Sequence, residues 1–312
     1  MITANTGFTS PRGRSSGRLA LLAGAALAIF ATSGALAQTA TLPGGLDETV
    51  SKVGPSPTST SDVLKICASQ NEAPFSAADG SGFENRIGVA LAEGMGRKAE
   101  FVWTDKNAIY LVRDFLEKKS CDVVLGLDAG DERVLTSKSY YRTGYAFVSE
   151  TKDGFTGTRW QDVDSNGMRR FSMRLHSPAE TILKYAGKYE DNLAYLYSLV
   201  DFKSRRNQYS EVPPARIVSE VSGGQADLAI AFAPEVARYV KDSKGALKLT
   251  LIENALEQKN GITLPLQYDQ AIGVRKGDDA LLEAVNEGLS KAAPAIEAIL
   301  TEEGIPLLPA SS

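Results

Sequence analysis

Two lobes of α/β architecture, each a mostly parallel sheet flanked by helices, are the fold this sequence predicts. Three observations predict it. Leu64 to Phe75 reads as a strand running into a polar turn, and a helical pattern begins at Phe83; that is the first half of a βαβ unit. Strand and helix patterns then alternate with short connections, which right-handed crossovers turn into a parallel sheet. A second series of elements starts near Met168, and a return strand follows at Gln267 to Val274. The chain therefore builds a second lobe and comes back to the first.

In order, Leu64, Ile66 and Ala68 alternate with Lys65, Cys67 and Ser69, until Pro74 ends the strand by fixing φ. Ile87, Leu91 and Met95 recur at helical spacing after Phe83. Glu100 to Thr104 is a short strand. Asn107 to Lys119 carries Ile109, Val112, Phe115 and Leu116 and predicts a helix. Cys121 to Leu127 is a continuous apolar run, the pattern of a strand buried on both faces. A polar turn leads to a strand at Gly144 to Val148.

In the second lobe, Met168 to Leu175 predicts a strand. Ser177 as N-cap, Pro178 at the first position and Glu180 at the third open a helix that stays aromatic-rich to Tyr197. Pro214 to Val221 predicts a helix stopped by Gly223-Gly224. Asp227 to Phe232 is a buried strand, Pro234 to Val240 a helix, and Leu247 to Leu251 alternates. After the return strand Asp278 caps a helix bearing Leu281, Leu282, Val285 and Leu289, and Pro294 starts a last helix. The apolar Ile305 to Leu308 packs on the first lobe.

The N-terminus predicts export. Arg12, Arg14 and Arg18 precede the apolar run Leu19 to Phe30, and Ala35-Leu36-Ala37 is a small-x-small cleavage pattern. Residues 1–37 read as a signal peptide, because the run is short for a ~20-residue membrane span. Residues 38–62, rich in Thr, Ser, Pro and Gly, read as a flexible leader. Lobe 1 is then 63–149 plus 268–312, and lobe 2 is 150–267. Removing three arginines and no acid takes the formal net charge of −4 to −4 − 3 = −7. That acidity opposes nucleic acid and anionic membrane as partners, and no later apolar run is long enough to span a bilayer. Cys67 and Cys121 are the 2 cysteines of an exported chain. They predict one disulfide, with two buried thiols as the alternative. A bridge fits if the first strand lies between the second and third.

Candidate site residues follow from strand ends. Asn71, Glu72 and Phe75 occupy the loop after the first strand, where open α/β sheets meet ligands or partners. Asp128 directly follows the third strand, and Tyr268 lies near the start of the return strand. Tyr140, Tyr141 and Tyr145, with Phe147, form an aromatic set suited to a cleft wall or to core packing. His176 is the 1 histidine, so a His-rich metal site within one chain is excluded. Its neighbour Ser177 does not face it on a helix start, which removes a nucleophile–base pair. With no GxSxG, phosphate loop or CxxC, the residues predict neither an enzyme nor a cofactor.

The stretches DVVLGLDAGDERVLTSKSYY, SEVSGGQADLAIAF and LQYDQAIGVRKGDDALLEAVNEGL resemble the extracellular solute-binding proteins of the amino-acid type. ICASQNEAPFS, GFENRIGVALAEGMGR, PPARIVSEVSGGQADLAIAFAP and ILTEEGIPLLP narrow the resemblance to the MxaJ/XoxJ-type periplasmic proteins of methanol oxidation. It covers roughly Val63 to Pro309. It implies a two-lobed type II periplasmic binding protein with two interlobe crossings. It also implies action on assembly or activation of a methanol dehydrogenase that carries pyrroloquinoline quinone (PQQ), rather than nutrient uptake. Arg133 aligns with the arginine that pairs a ligand carboxylate in amino-acid receptors. One departure stands out. XoxJ-like relatives keep a Gly-rich turn where this chain reads RLHSPAETILKYAGKYED, with no glycine between Arg174 and Ala186. That departure favours the MxaJ branch and a partner over a small solute.

Overall fold

The structure is a computed structural model and describes residues 61–200, 212–253, 255–257 and 263–309. The expected signal peptide and nearly all of the expected leader lie outside the described residues.

The elements that position the site are β1 (Val63–Ser69), α1 (Phe83–Gly94), β2 (Lys98–Thr104), β3 (Val123–Asp128) and β4 (Tyr141–Glu150). They continue with α2 (Pro178–Tyr185), α3 (Tyr189–Ser198), α4 (Pro214–Ser222), β5 (Leu228–Phe232) and α5 (Ala233–Asp242). The last are β6 (Leu247–Leu251), β7 (Gln267–Val274) and α6 (Asp279–Glu303). The strands join in the order β2-β1-β3-β7-β4-β5, ending on the short strand Phe171–Ser172. β1 lies parallel between β2 and β3, as the alternating pattern requires. β7 is antiparallel to both β3 and β4, and β4 is antiparallel to β5 and β6. The sheet is therefore mixed rather than mostly parallel, because the two long strands β4 and β7 run against their neighbours.

β4 changes partner midway. Tyr141–Gly144 pairs with β7, and Tyr145–Val148 pairs with β5. The Tyr145 N–H donates to Leu266 O at 2.7 Å, so the backbones of β4 and the segment entering β7 touch at this point. Gly144 permits it: a Cβ there would lie 2.6 Å from Leu266 O. On one side of this junction Leu64, Phe83, Ile87, Leu91, Val123, Ile272 and Leu300 form a core that joins β1, α1, β3, β7 and α6. On the other Phe147, Phe155, Phe171, Leu183, Ile217, Ile230 and Val236 form a second core. Each such side chain, fully buried, stabilises by roughly 1.5–3 kcal/mol relative to exposure. A smaller cluster of Leu111, Val112, Leu116 and Val124 packs around Cys67 and Cys121. These cysteines form a disulfide with Cα atoms 5.5 Å apart, as the flanking of β1 by β2 and β3 anticipates.

Several elements differ from expectation. Asn107–Lys119 is not an α-helix but a 3₁₀ turn at Ala108–Tyr110 followed by a π-helical segment, Val112–Leu116. That geometry buries Leu111, Val112 and Leu116 while leaving Ile109 69% exposed. The strand expected over Met168–Leu175 shrinks to Phe171–Ser172. The aromatic helix is two helices, broken at Gly187 with φ +68°. Ser177 stands at the N-cap of α2, yet its Oγ donates to Arg174 O, and Glu180 accepts the His176 N–H instead. Pro294 does not start a helix. It lies inside the 25-residue α6, because Ala292, Ile296 and Leu300 on either side are buried in the same core.

Candidate functional site

The loop after β1 folds as a tight hairpin, Asn71–Glu72 against Ser76–Ala77. Buried Asn85 of α1 holds it, accepting from Ala77 N at 2.9 Å and donating to Ser76 Oγ at 2.9 Å. The first N–H groups of α1 find acceptors in the same loop: Phe83 N donates to Pro74 O and Glu84 N to Phe75 O, both at 3.0 Å. Orphan helix donors must be met somewhere, and meeting them here fixes Phe75 and Glu84 side by side. The Phe75 ring packs on Phe83 at 5.2 Å.

Above this loop and the carboxyl end of β3 lies a cleft of about 400 Å³. One wall carries Glu72, Phe75, Glu84, Asp128, Asp131 and Arg133; the other carries Tyr145, Arg174, Phe232 and Tyr268. Tyr145, Phe232 and Tyr268 form an aromatic group with centroids 5.6, 6.2 and 6.4 Å apart. Tyr268 Oη donates to Pro265 O at 2.7 Å. Gln270 donates to Asp128 Oδ1 at 2.8 Å and holds that carboxylate in place.

Both guanidiniums of the cleft face carboxylates of this chain. Arg133 forks onto Asp131, Nε to Oδ1 at 3.0 Å and Nη2 to Oδ2 at 2.6 Å. This hydrogen bonding holds the Asp131 carboxyl below the usual carboxylate range. Arg174 Nε lies 3.2 Å from Oε1 of Glu235, which is buried near the start of α5.

Glu84 is different. Its carboxyl is desolvated at the cleft floor, and that burial, with the charge of Glu72 second, pushes its pKa up to about 8. Gly126 makes the room: it sits at φ +70°, and a Cβ there would fall 2.1 Å from Glu84 Oε1. The Gly126 N–H donates to Tyr140 Oη at 3.2 Å, so the phenol supports the cleft floor from behind.

Of the sequence-predicted residues, the structure brings Glu72, Phe75, Asp128, Arg133, Tyr145 and Tyr268 together in the cleft. Asn71 is exposed on the hairpin outside the lining. Tyr140 and Tyr141 lie behind the floor and face a separate groove beside α6 and Leu308. Both hydroxyls are pushed well above the usual tyrosine range by burial. His176 lies in a shallow groove with Tyr268. It adopts φ +60°, so a histidine takes the left-handed turn that glycine would hold more easily. Glu84, Arg174, Phe232 and Gln270 were missed. An acid in a first helical turn is ordinary, and nothing in its neighbours marks Glu84. The signal available was Gly126, a glycine inside an apolar strand, which marks close approach of another group. Among the described residues no group of three or more His, Cys, Asp or Glu could hold a metal ion. No helix among them is long and apolar enough to cross a membrane.

Comparison with known proteins agrees with this architecture. Residues 64–297 match the family described as bacterial extracellular solute-binding proteins, family 3. A protein named MoxJ from Paracoccus denitrificans is 55% identical over 248 residues, which is 80% of this chain and 90% of the relative. MoxJ from Methylorubrum extorquens is 51% identical over 249 residues, 80% of this chain and 83% of the relative. The crystal structure of MxaJ from Methlophaga aminisulfidivorans superimposes with a TM-score of 0.73 at 46% identity, over 78% of this chain and 100% of that one. The periplasmic binding protein XoxJ from Methylobacterium extorquens shares the fold, with a TM-score of 0.57 at 20% identity, over 79% of this chain and 100% of that one. With a two-lobed sheet, a cleft at the strand ends and this degree of identity, the chain belongs to the bacterial extracellular solute-binding proteins, family 3, and within them to the MxaJ/XoxJ type, nearer to MxaJ than to XoxJ.

Proposed function

We propose that this is a periplasmic binding protein of the methanol oxidation system that assists assembly or activation of a PQQ-dependent methanol dehydrogenase by protein–protein contact. In this reading residues 1–37 are removed on export, 38–62 form a leader, and lobes 63–149 plus 268–312 and 150–267 face each other across the cleft. The chain binds and does not catalyse. The observation that carries the reading is the state of Arg133. A receptor for free amino acids needs a guanidinium for the ligand carboxylate, and Arg133 is forked onto Asp131 instead. Identity of 55% to MoxJ supports the same reading.

The test is co-purification of the mature protein with apo-dehydrogenase subunits, together with dehydrogenase activity in a deletion strain. A complex and reduced activation are expected. No complex, with full activation in the deletion strain, removes the reading. A second reading, a small-solute receptor of a transporter, is favoured by the cleft volume of about 400 Å³, which suits a small ligand. Thermal-shift screening against free amino acids separates the two. A solute at a hundred times its dissociation constant adds roughly 2.7 kcal/mol.

A further inference from the structure

The cleft carries an imbalance of charge that the proposed function leaves unused. Its lining holds the carboxylates Glu72, Asp128 and Asp131, and a fourth acid, Glu84, that stays protonated below about pH 8, against two guanidiniums. Arg133 is held by Asp131 and Arg174 faces Glu235. Carboxylates in a concave, partly dry site attract a cation. Opposite them the rings of Tyr145, Phe232 and Tyr268 offer the aromatic faces over which ammonium and guanidinium groups settle. Gly126 is shaped around the Glu84 carboxyl, so that acid is built into the floor rather than left there by chance. At the mouth, Ile109 is 69% exposed beside Ala108 and also borders the cleft. Ala108 N donates to Glu72 Oε1 at 3.1 Å, which ties this apolar lip to the acidic wall.

We infer that the cleft receives a basic side chain, lysine or arginine, on a segment of the partner protein, seated between Glu72, Glu84 and Asp128 and the three rings, with Ile109 against the segment's apolar flank. The partner in this statement rests on the accessory reading above. A side chain within a polypeptide brings a cation without the free carboxylate that would need Arg133. Glu84 is faced by Glu72, Tyr140 and Tyr141. An arriving cation favours its ionised form, so binding releases a proton near neutral pH.

The probes are Nα-acetyl-lysine N-methylamide, the uncharged Nα-acetyl-glutamine N-methylamide, and free lysine. Each is titrated calorimetrically into the mature protein and into Glu84→Gln and Asp128→Asn variants, whose folding is checked by thermal denaturation. The blocked lysine is expected to bind saturably and the glutamine analogue not to bind. Affinity should fall at least about tenfold in both variants, and proton release should vanish in Glu84→Gln. No saturable binding of blocked lysine, or unchanged affinity in both variants, overturns the inference. So does free lysine binding more tightly than its blocked form, which assigns the cleft to amino-acid solutes. Capture of the dehydrogenase by wild type and Glu84→Gln alike overturns the inference and leaves the accessory function standing. Failure of wild type to capture it removes that function, and the lysine titration still decides the chemistry of the cleft.

Discussion

Replacing Glu84 by Gln tests the reading of the cleft floor through stability alone. The glutamine keeps the shape of a protonated carboxyl and cannot ionise. In the folded wild type the group titrates at about 8, against an ordinary value of 4.5. Between these values the native state holds one proton more than the unfolded chain, so wild-type stability falls as pH rises. The penalty is absent below pH 4.5, grows by about 1.4 kcal/mol per pH unit, and is complete above pH 8. The gap corresponds to about 5 kcal/mol at most, because water in the open cleft screens part of it. Urea denaturation of both proteins at half-unit steps from pH 4.5 to 9 measures the difference. The Glu84→Gln curve should separate upward from wild type across that window and run parallel above it. Asp131, Asp162 and Glu180 are depressed; their stabilisation is lost as pH falls below about 4.5 and is common to both proteins. Two curves that stay parallel from pH 4.5 to 8 would refute the desolvated carboxyl.

Other outcomes follow from particular contacts. Glu303, 5% exposed, receives a fork from Arg238 of α5 at 2.7 and 2.8 Å and a bond from Arg86 of α1. Glu303→Gln should cost about 3 kcal/mol in denaturation, with little dependence on salt. The Cys67–Cys121 bridge spans 54 residues, so a Cys67→Ser, Cys121→Ser double variant should lose about 4 kcal/mol by chain entropy, seen as a lower denaturation midpoint. His176→Gly relieves a left-handed backbone at φ +60° and should gain up to about 1 kcal/mol, while His176→Ala should not; melting curves compare them.

The parts of the fold that were legible are those where one local rule governs. β1 alternates, β3 is apolar up to Leu127, and α4 is bounded by Pro214 and Gly223-Gly224; each reads correctly because pattern and burial coincide. Residues 107–119 misread as an α-helix because spacing near four does not distinguish an α turn from a π segment whose core contacts come from Leu111, Val112 and Leu116. Pro294 misread as a start because a proline inside a helix is locally costly, and only tertiary burial of Ile296 and Leu300 outweighs it. The first wall of the cleft was half legible from strand ends. On the opposite wall Tyr145 and Tyr268 were legible, and Phe232 and Arg174 were not. Those two line the same cleft as Glu72 only because β4 and β7 carry the chain between the two cores, and no local pattern encodes that approach.

The position of β7 bears on how the molecule comes to be made. It occupies the middle of the sheet, between β3 and β4, yet Gln270 meets Asp128 across a separation of 142 residues. Until residues 267–274 arrive, β3 and the first half of β4 each show an unpaired margin, apolar along Val123–Leu127, the kind that recruits strands from other molecules. Contacts of such long range also slow the search for the native pairing. The earlier portion of the polypeptide is thus an unfinished half that needs shelter until its keystone is inserted. A chain cut before Gln267 should bind hydrophobic dye and aggregate rather than settle as an independent lobe.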